Sequence, residues 1–287
     1  MLRLIYLVAA GAALVYVGLL VGLWHYQEHV LFQPPRWVPD EPVAARRVSY
    51  PAADGVELFG YLVGDCAAPG TTVVAFHGNA DISRWYVPWA ARLARETGAC
   101  VMLPEYRGYD GIAGGPTYAT SALDAKAATD FLARAHGIAP SNVVLYGHSL
   151  GSAVAAELAA RQAPRALVLQ SPLSTAQAMA ARLGVPGITR LWWLISRIHF
   201  DTPARVRSLA SPVWVAHGDR DRVVPVRMGR EVFAAAADKG ELLVVQGAGH
   251  NDVAEVGAGA YWSWLVRAIN SGTAVASTAT RDAVAGK

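Results

Sequence analysis

Residues 4–24 contain no charged side chain, and their apolar character runs all the way round a helix instead of along one stripe. About 21 residues at roughly 1.5 Å each reach about 31 Å, enough to cross the hydrocarbon core of a bilayer. A cleaved secretory signal has a shorter apolar region that closes on small residues, whereas this run ends Val21-Gly22-Leu23-Trp24-His25. The pattern therefore predicts an uncleaved, single-pass anchor over residues 1–24. Pro34, Pro35, Pro39 and Pro42 then predict an extended connector over residues 25–45.

From residue 46 the pattern changes. Segments 46–50 and 56–63, separated by Asp54-Gly55, read as an antiparallel hairpin. Six short apolar runs follow, at residues 72–76, 100–103, 143–146, 166–169, 213–216 and 242–245. Continuous hydrophobicity over so few residues marks strands covered on both faces, as in a parallel sheet. Between them, Leu123, Ala127 and Phe131 share one helical face, as do Tyr261, Trp264, Leu265 and Ile269. Strand and helix thus alternate, which predicts a mostly parallel, doubly wound α/β sheet for a catalytic-size domain at 46–270. Residues 172–202 fall outside the rhythm and read as a small cap insertion. Residues 271–287 are Ser, Thr, Ala and Gly with few large apolar groups, and predict a disordered tail.

Composition adds limits. A chain of 287 residues with 53% hydrophobic content suits one large domain plus appendages. The net charge of +3 is small and its cations are scattered, so nucleic acid is not an expected partner. For orientation there is only Arg3 with the terminal amine to set against Arg36. This places the short N-terminal tail inside and, for an alanine-rich chain of bacterial character, the domain on the periplasmic side of the inner membrane.

The chemistry concentrates at three strand ends. Gly147-His148-Ser149-Leu150-Gly151 sits directly between a predicted strand and a helix of small residues. A tight strand-to-helix turn lifts a serine out of the sheet, and flanking glycines remove the Cβ atoms that would collide there. A serine nucleophile needs a base, and the base needs a carboxylate to fix its tautomer, so Asp and then His should follow in chain order. His217-Gly218-Asp219-Arg220-Asp221 and Gly249-His250 supply them after the last two runs. These are carboxyl ends of strands, where ligand sites form in α/β sheets. Two aspartates compete for the acid role, Asp221 and Asp219, and the latter suits a turn cap.

With these motifs the chain resembles the α/β-hydrolase superfamily over about residues 31 to 269, especially its membrane-associated, small-cap branch named after a yeast bud-emergence protein. The resemblance assigns Ser149 as nucleophile, Asp221 as acid and His250 as base, and implies an oxyanion hole from the backbone amides of Asn79, in Phe76-His77-Gly78-Asn79-Ala80, and Leu150. His77 and His217 end strands and read as structural. The segment Glu105-Tyr106-Arg107-Gly108-Tyr109-Asp110-Gly111 departs from the family's Tyr-Arg-Gly-Tyr-Gly, since Asp110 replaces the last glycine and Ile112 falls near a usual serine. Arg107 reads as an ion-pair partner in the fold.

Trp192 and Trp193, flanked by Arg190 and Arg197, fit a cap helix over the site or a contact with lipid headgroups. Either way the expected substrate is a small acyl-bearing or lipid-like molecule. The family's strand order implies that Cys66 and Cys100 lie beside each other, so a disulfide is open to them in an oxidising compartment; neither has metal-type spacing. The expected function is hydrolysis of carboxylic esters or thioesters through an acyl-enzyme, with no cofactor and no metal. A peptidase of the same fold, a haloperoxidase-like side activity and a non-catalytic membrane-anchored scaffold are the rival readings.

Overall fold

The computed structural model describes residues 1–38, 41–67 and 70–271. The predicted tail from residue 272 lies outside the described residues. Among the described residues, eight strands form one sheet in the order β1-β2-β4-β3-β5-β6-β7-β8. They are β1 (Arg46–Pro51), β2 (Glu57–Val63), β3 (Thr72–Phe76), β4 (Cys100–Pro104), β5 (Val143–His148), β6 (Ala166–Gln170), β7 (Val213–Gly218) and β8 (Lys239–Val245). β1 and β2 form the antiparallel hairpin, β2 runs antiparallel to β4, and all later pairings are parallel. Every residue of β3, β4, β5 and β6 is buried. That is why their sequences are continuously apolar: helices cover both faces.

The helices are α1 (Leu2–Leu31), α2 (Val87–Thr97), α3 (Tyr118–His136), α4 (Leu150–Gln162), α5 (Ala176–Ala180), α6 (Trp192–Ile195), α7 (Thr202–Arg207), α8 (Val226–Ala235) and α9 (Val253–Asn270). Thr117 caps α3, its side chain accepting from the amide of Thr120. On α9 Tyr261, Trp264, Leu265 and Ile269 are all buried, as the helical spacing of these side chains predicts. The insertion holds the short helices α5 and α6 with a 3-10 turn at Ala181–Leu183 between them, and its neck is closed by an antiparallel bridge between Thr175 and Asp201.

The expected boundary between anchor and connector moves. α1 continues seven residues past Trp24, to Leu31, into the stretch for which the sequence predicts an extended segment. Residues 25–31 contain neither Pro nor Gly, so nothing stops the helix before the prolines beyond it. Among the described residues α1 is the one helix long and apolar enough to cross a membrane, with a mean hydropathy of 2.5.

Cys66 and Cys100 form a disulfide with Cα atoms 4.8 Å apart. It joins the segment after β2 to the first residue of β4. Arg107 is buried between two carboxylates, donating to Asp124 through Nε and Nη2 at 2.9 and 2.6 Å and to Asp54 through Nη1 at 2.6 Å. Asp110 takes positive φ, 41°, and accepts from Nε of Arg84 at 3.0 Å. Aspartate tolerates this left-handed backbone better than most residues, so the exchange for the family's glycine leaves the turn in place.

Candidate active site

β5 delivers the chain to Ser149, which sits at φ 52° and ψ −117° before α4 begins. So sharp a turn is possible only with bare neighbours: a Cβ on Gly147 would strike the carbonyl oxygen of Gly151, and one on Gly151 would strike that of Phe76. Strain of this kind persists where surrounding structure enforces it. The amide of Ser149 donates to the carbonyl of Gln170 at 3.0 Å, tying the turn to β6. α4 directs its positive end at the serine.

Nε2 of His250 lies 2.9 Å from Oγ of Ser149, and Nδ1 of the same ring lies 2.7 Å from Oδ2 of Asp221. An ionised carboxylate only accepts, so the ring carries its proton on Nδ1 and turns the Nε2 lone pair to the serine. The other oxygen of Asp221 accepts from the amides of Val223 and Val224, both at 2.8 Å. Burial alone raises the pKa of Asp221. Hydrogen bonds from His217 and His250, the charge of His250 and the Val224 amide outweigh it and hold the carboxyl well below the usual carboxylate range. Asp219 turns elsewhere, accepting from the amide of Gly247 at 2.6 Å. The structure thus brings Ser149, Asp221 and His250 together, with Asp219 as a turn cap.

The other three histidines of the site play supporting parts. His217 is buried and its Nε2 donates to the carbonyl of Val224 at 2.8 Å and to Asp221 at 3.2 Å. His77 is buried with its Nδ1 2.8 Å from the carbonyl of Gly78 and its Nε2 2.7 Å from Glu105. Both neighbours are acceptors, which favours the doubly protonated ring. Burial lowers the pKa of His77, but the charge and hydrogen bond of Glu105 raise it further than burial depresses it. Glu105 also accepts from Ser83 and the Tyr106 amide, so the pair fixes the loop that carries Asn79. His148 accepts from Tyr86 Oη at 2.9 Å and donates to the carbonyl of His250 at 3.3 Å. Its pKa is lowered to about 3, by burial first and then by His250, and it is neutral at ordinary pH. Neither the sequence spacing nor the motif signalled this brace between the elbow and the loop of His250.

Asn79, Leu150 and Ser149 line one cavity of about 400 Å³. Leu173, Met179 and Trp192 of the insertion line it as well, which fits the cap reading, while Trp193 is 79% exposed. So do Leu23, Gln27, Val30 and Leu31 of α1, which no motif or spacing in the chain placed there. A second cleft of about 600 Å³ meets Ser149 from the other side, with Trp85, Trp89, His148, Asp81 and Glu255 in its walls. Among the described residues no three His, Cys, Asp or Glu side chains gather as a metal site.

A sheet of this order, with a strained serine turn after its fifth strand, defines the α/β-hydrolase class, and the chain belongs to the α/β-hydrolase superfamily. Residues 67–203 match the family model described as serine aminopeptidase, S33. An uncharacterized protein of Mycobacterium tuberculosis is 34% identical over 254 residues, 85% of this chain and 88% of that one. Human α/β-hydrolase domain-containing protein 17B is 31% identical over 186 residues, 63% of this chain and 61% of the relative. In fold the chain is similar to a Pyrococcus furiosus esterase, with a TM-score of 0.64 and 21% identity over 83% of this chain and 96% of that one. An esterase from a Rhodococcus species superposes with a TM-score of 0.60 and 20% identity over 78% of this chain and 98% of that one.

Proposed function

We propose that the protein is a membrane-anchored serine hydrolase that cleaves carboxylic esters or thioesters through an acyl-enzyme. The observation that carries this reading is the continuous chain from Ser149 Oγ through His250 to Asp221, with spacings of 2.9 and 2.7 Å, where Ser149 lines an apolar cavity. In the first step His250 Nε2 takes the hydroxyl proton while Oγ attacks the acyl carbonyl. The amides of Asn79 and Leu150 stabilise the oxyanion. Collapse of the tetrahedral intermediate breaks the bond to the leaving alcohol or thiol, which receives the proton from His250. Water, deprotonated by the same ring, then attacks the acyl-serine and releases the acid, and the proton returns to Oγ. Asp221 stays ionised throughout and stabilises the imidazolium.

The test is labelling of membranes with a fluorophosphonate probe, comparing the natural protein with Ser149→Ala. Labelling confined to the natural protein is the expected result; labelling that persists in a folded Ser149→Ala protein overturns the assignment.

A second reading, peptidase, is favoured by the carboxylates of Asp81 and Glu255 in the second cleft, which suit a free amine. The apolar cavity argues for an acyl group instead. Short to medium acyl esters should be cleaved better than aminoacyl anilides, and equal turnover of the two would reverse the order of the readings. For location we propose a single-pass protein with its domain on the periplasmic side of a bacterial inner membrane; the Cys66–Cys100 disulfide supports an oxidising compartment. A C-terminal reporter active only in its cytoplasmic form would overturn that orientation.

A further inference from the structure

The cavity over Ser149 has a wall made by the membrane helix itself. Leu23, Val30 and Leu31 of α1 face the same space as Ser149. Directed bonds hold α1 there. The side chain of Gln27 donates to the carbonyl of Ile195 at 3.0 Å and accepts from the amide of Arg197 at 2.7 Å. The hydroxyl of Tyr16 donates to the carbonyl of Pro186 at 2.5 Å. Glu28 accepts from the amide of Tyr118 at 3.1 Å, at the positive end of α3.

The exposed face of α1 then places the cap. Residues 2–15 are all exposed, and Tyr16 is the first residue tied to the domain. The exposed apolar surface of α1 does not stop there: Val17, Leu19 and Val21 are 54, 46 and 59% exposed on the stretch that runs beside the cap. Hydrocarbon that covers this face of α1 therefore reaches the cap edge. The cap edge is built for this: Trp193 and Leu194 are exposed at 79 and 60%, and Leu183, 52% exposed, also lines the cavity. Arg197 lies 5.0 Å from the ring of Trp24, a cation and an aromatic group at the depth where headgroups begin.

We propose that the cap edge sits within the domain-side leaflet and that the cavity opens there between Leu183 and α1, so that the enzyme draws the acyl chain of a membrane-resident lipid ester along α1 to Ser149. The proposal rests on the reading of Ser149 as nucleophile. It makes the anchor part of the binding site instead of a tether.

Two measurements on the full chain in phosphatidylcholine vesicles test it. Both native cysteines are bonded to each other, so Leu194→Cys takes a fluorophore selectively, and Arg230→Cys on α8 serves as the aqueous control. Nitroxide-bearing lipids should quench the label at position 194 and spare that at 230. In a second arm, Leu31→Trp narrows the cavity and should lower the ratio of dodecanoate to butyrate ester turnover about tenfold, whereas Leu14→Trp, on the exposed part of α1, should leave the ratio as in the natural protein. An unquenched label at 194, or a ratio unchanged in Leu31→Trp, overturns the proposal. A natural protein that neither takes the fluorophosphonate nor hydrolyses butyrate overturns the hydrolase reading beneath it, and the quenching arm, which needs no catalysis, separates the two failures.

Discussion

The backbone amide of Gln33, two residues past the end of α1, donates to Oδ1 of Asn79 at 2.7 Å. The same oxygen accepts from Tyr109 Oη at 3.1 Å. The side chain of Asn79 thus pins the loop whose backbone amide is proposed to meet the oxyanion. Asn79→Ala keeps that amide but frees the loop, so kcat for p-nitrophenyl butyrate should fall about tenfold with KM within about twofold. Tyr109→Phe removes one of the two donors and should cost less. A kcat for Asn79→Ala close to that of the natural protein would show that the loop holds without its anchor.

His148 predicts an acid-side loss of stability. Its folded pKa is lowered to about 3, while an unfolded histidine titrates near 6.5. The unfolded chain therefore binds a proton that the native state refuses, and stability falls as pH drops below about 6.5 and goes on falling towards about 3. The slope is at most ~1.4 kcal/mol per pH unit from this group. His77, whose pKa is raised, acts in the other window: its contribution is complete below about 6.5 and is lost as pH rises through its folded value. His148→Gln should flatten the dependence between pH 6.5 and 4.5 when unfolding midpoints are measured in detergent. An equally steep fall in the variant would place the acid sensitivity in other groups.

The disulfide closes a loop across 34 residues between the antiparallel hairpin and the parallel sheet. Cross-linking a loop of that length removes unfolded-state entropy equivalent to about 4 kcal/mol in the chain-entropy treatment, and native bridges lost from small domains typically cost about 2–5 kcal/mol. Cys66→Ala with Cys100→Ala should therefore lower the unfolding midpoint clearly, while the labelling of Ser149, on a different part of the sheet, persists. Mass measurement of unreduced, alkylated protein checks the bond directly. Free thiols in protein taken from its native membrane would count against an oxidising compartment.

What the sequence reveals here is what neighbouring residues decide among themselves. The turn at Ser149 is legible because the collisions that demand Gly147 and Gly151 are local, and the strands are legible because a sheet covered on both faces needs unbroken apolar runs. The chain order of Ser149, Asp221 and His250 is legible because each follows a strand end on the same edge. The role of α1 is not, because its partners lie far away in the chain. Gln27 and Glu28 fall in the stretch whose prolines predict a connector, and only folding brings them to Ile195, Arg197 and Tyr118. The brace from His148 to the carbonyl of His250 is hidden for the same reason, since 102 residues separate the two.

Arg107 should prove the most sensitive structural residue outside the site. Asp124 is buried, and its pKa is raised because burial outweighs the hydrogen bonds and charge of Arg107. With the guanidinium gone, that carboxylate stays in the interior without a counter-charge, and removing one partner of a buried pair typically costs about 3–5 kcal/mol. Arg107→Gln should therefore destabilise the protein by about that much, as read from unfolding midpoints in detergent. Asp54, the second partner, is solvent-accessible, so Asp54→Asn should do far less. The double variant Arg107→Met with Asp124→Leu removes both buried charges together and should recover much of the loss. If the double variant is no more stable than Arg107→Gln, the cost lies in the lost shape of the arginine stem and not in a stranded charge.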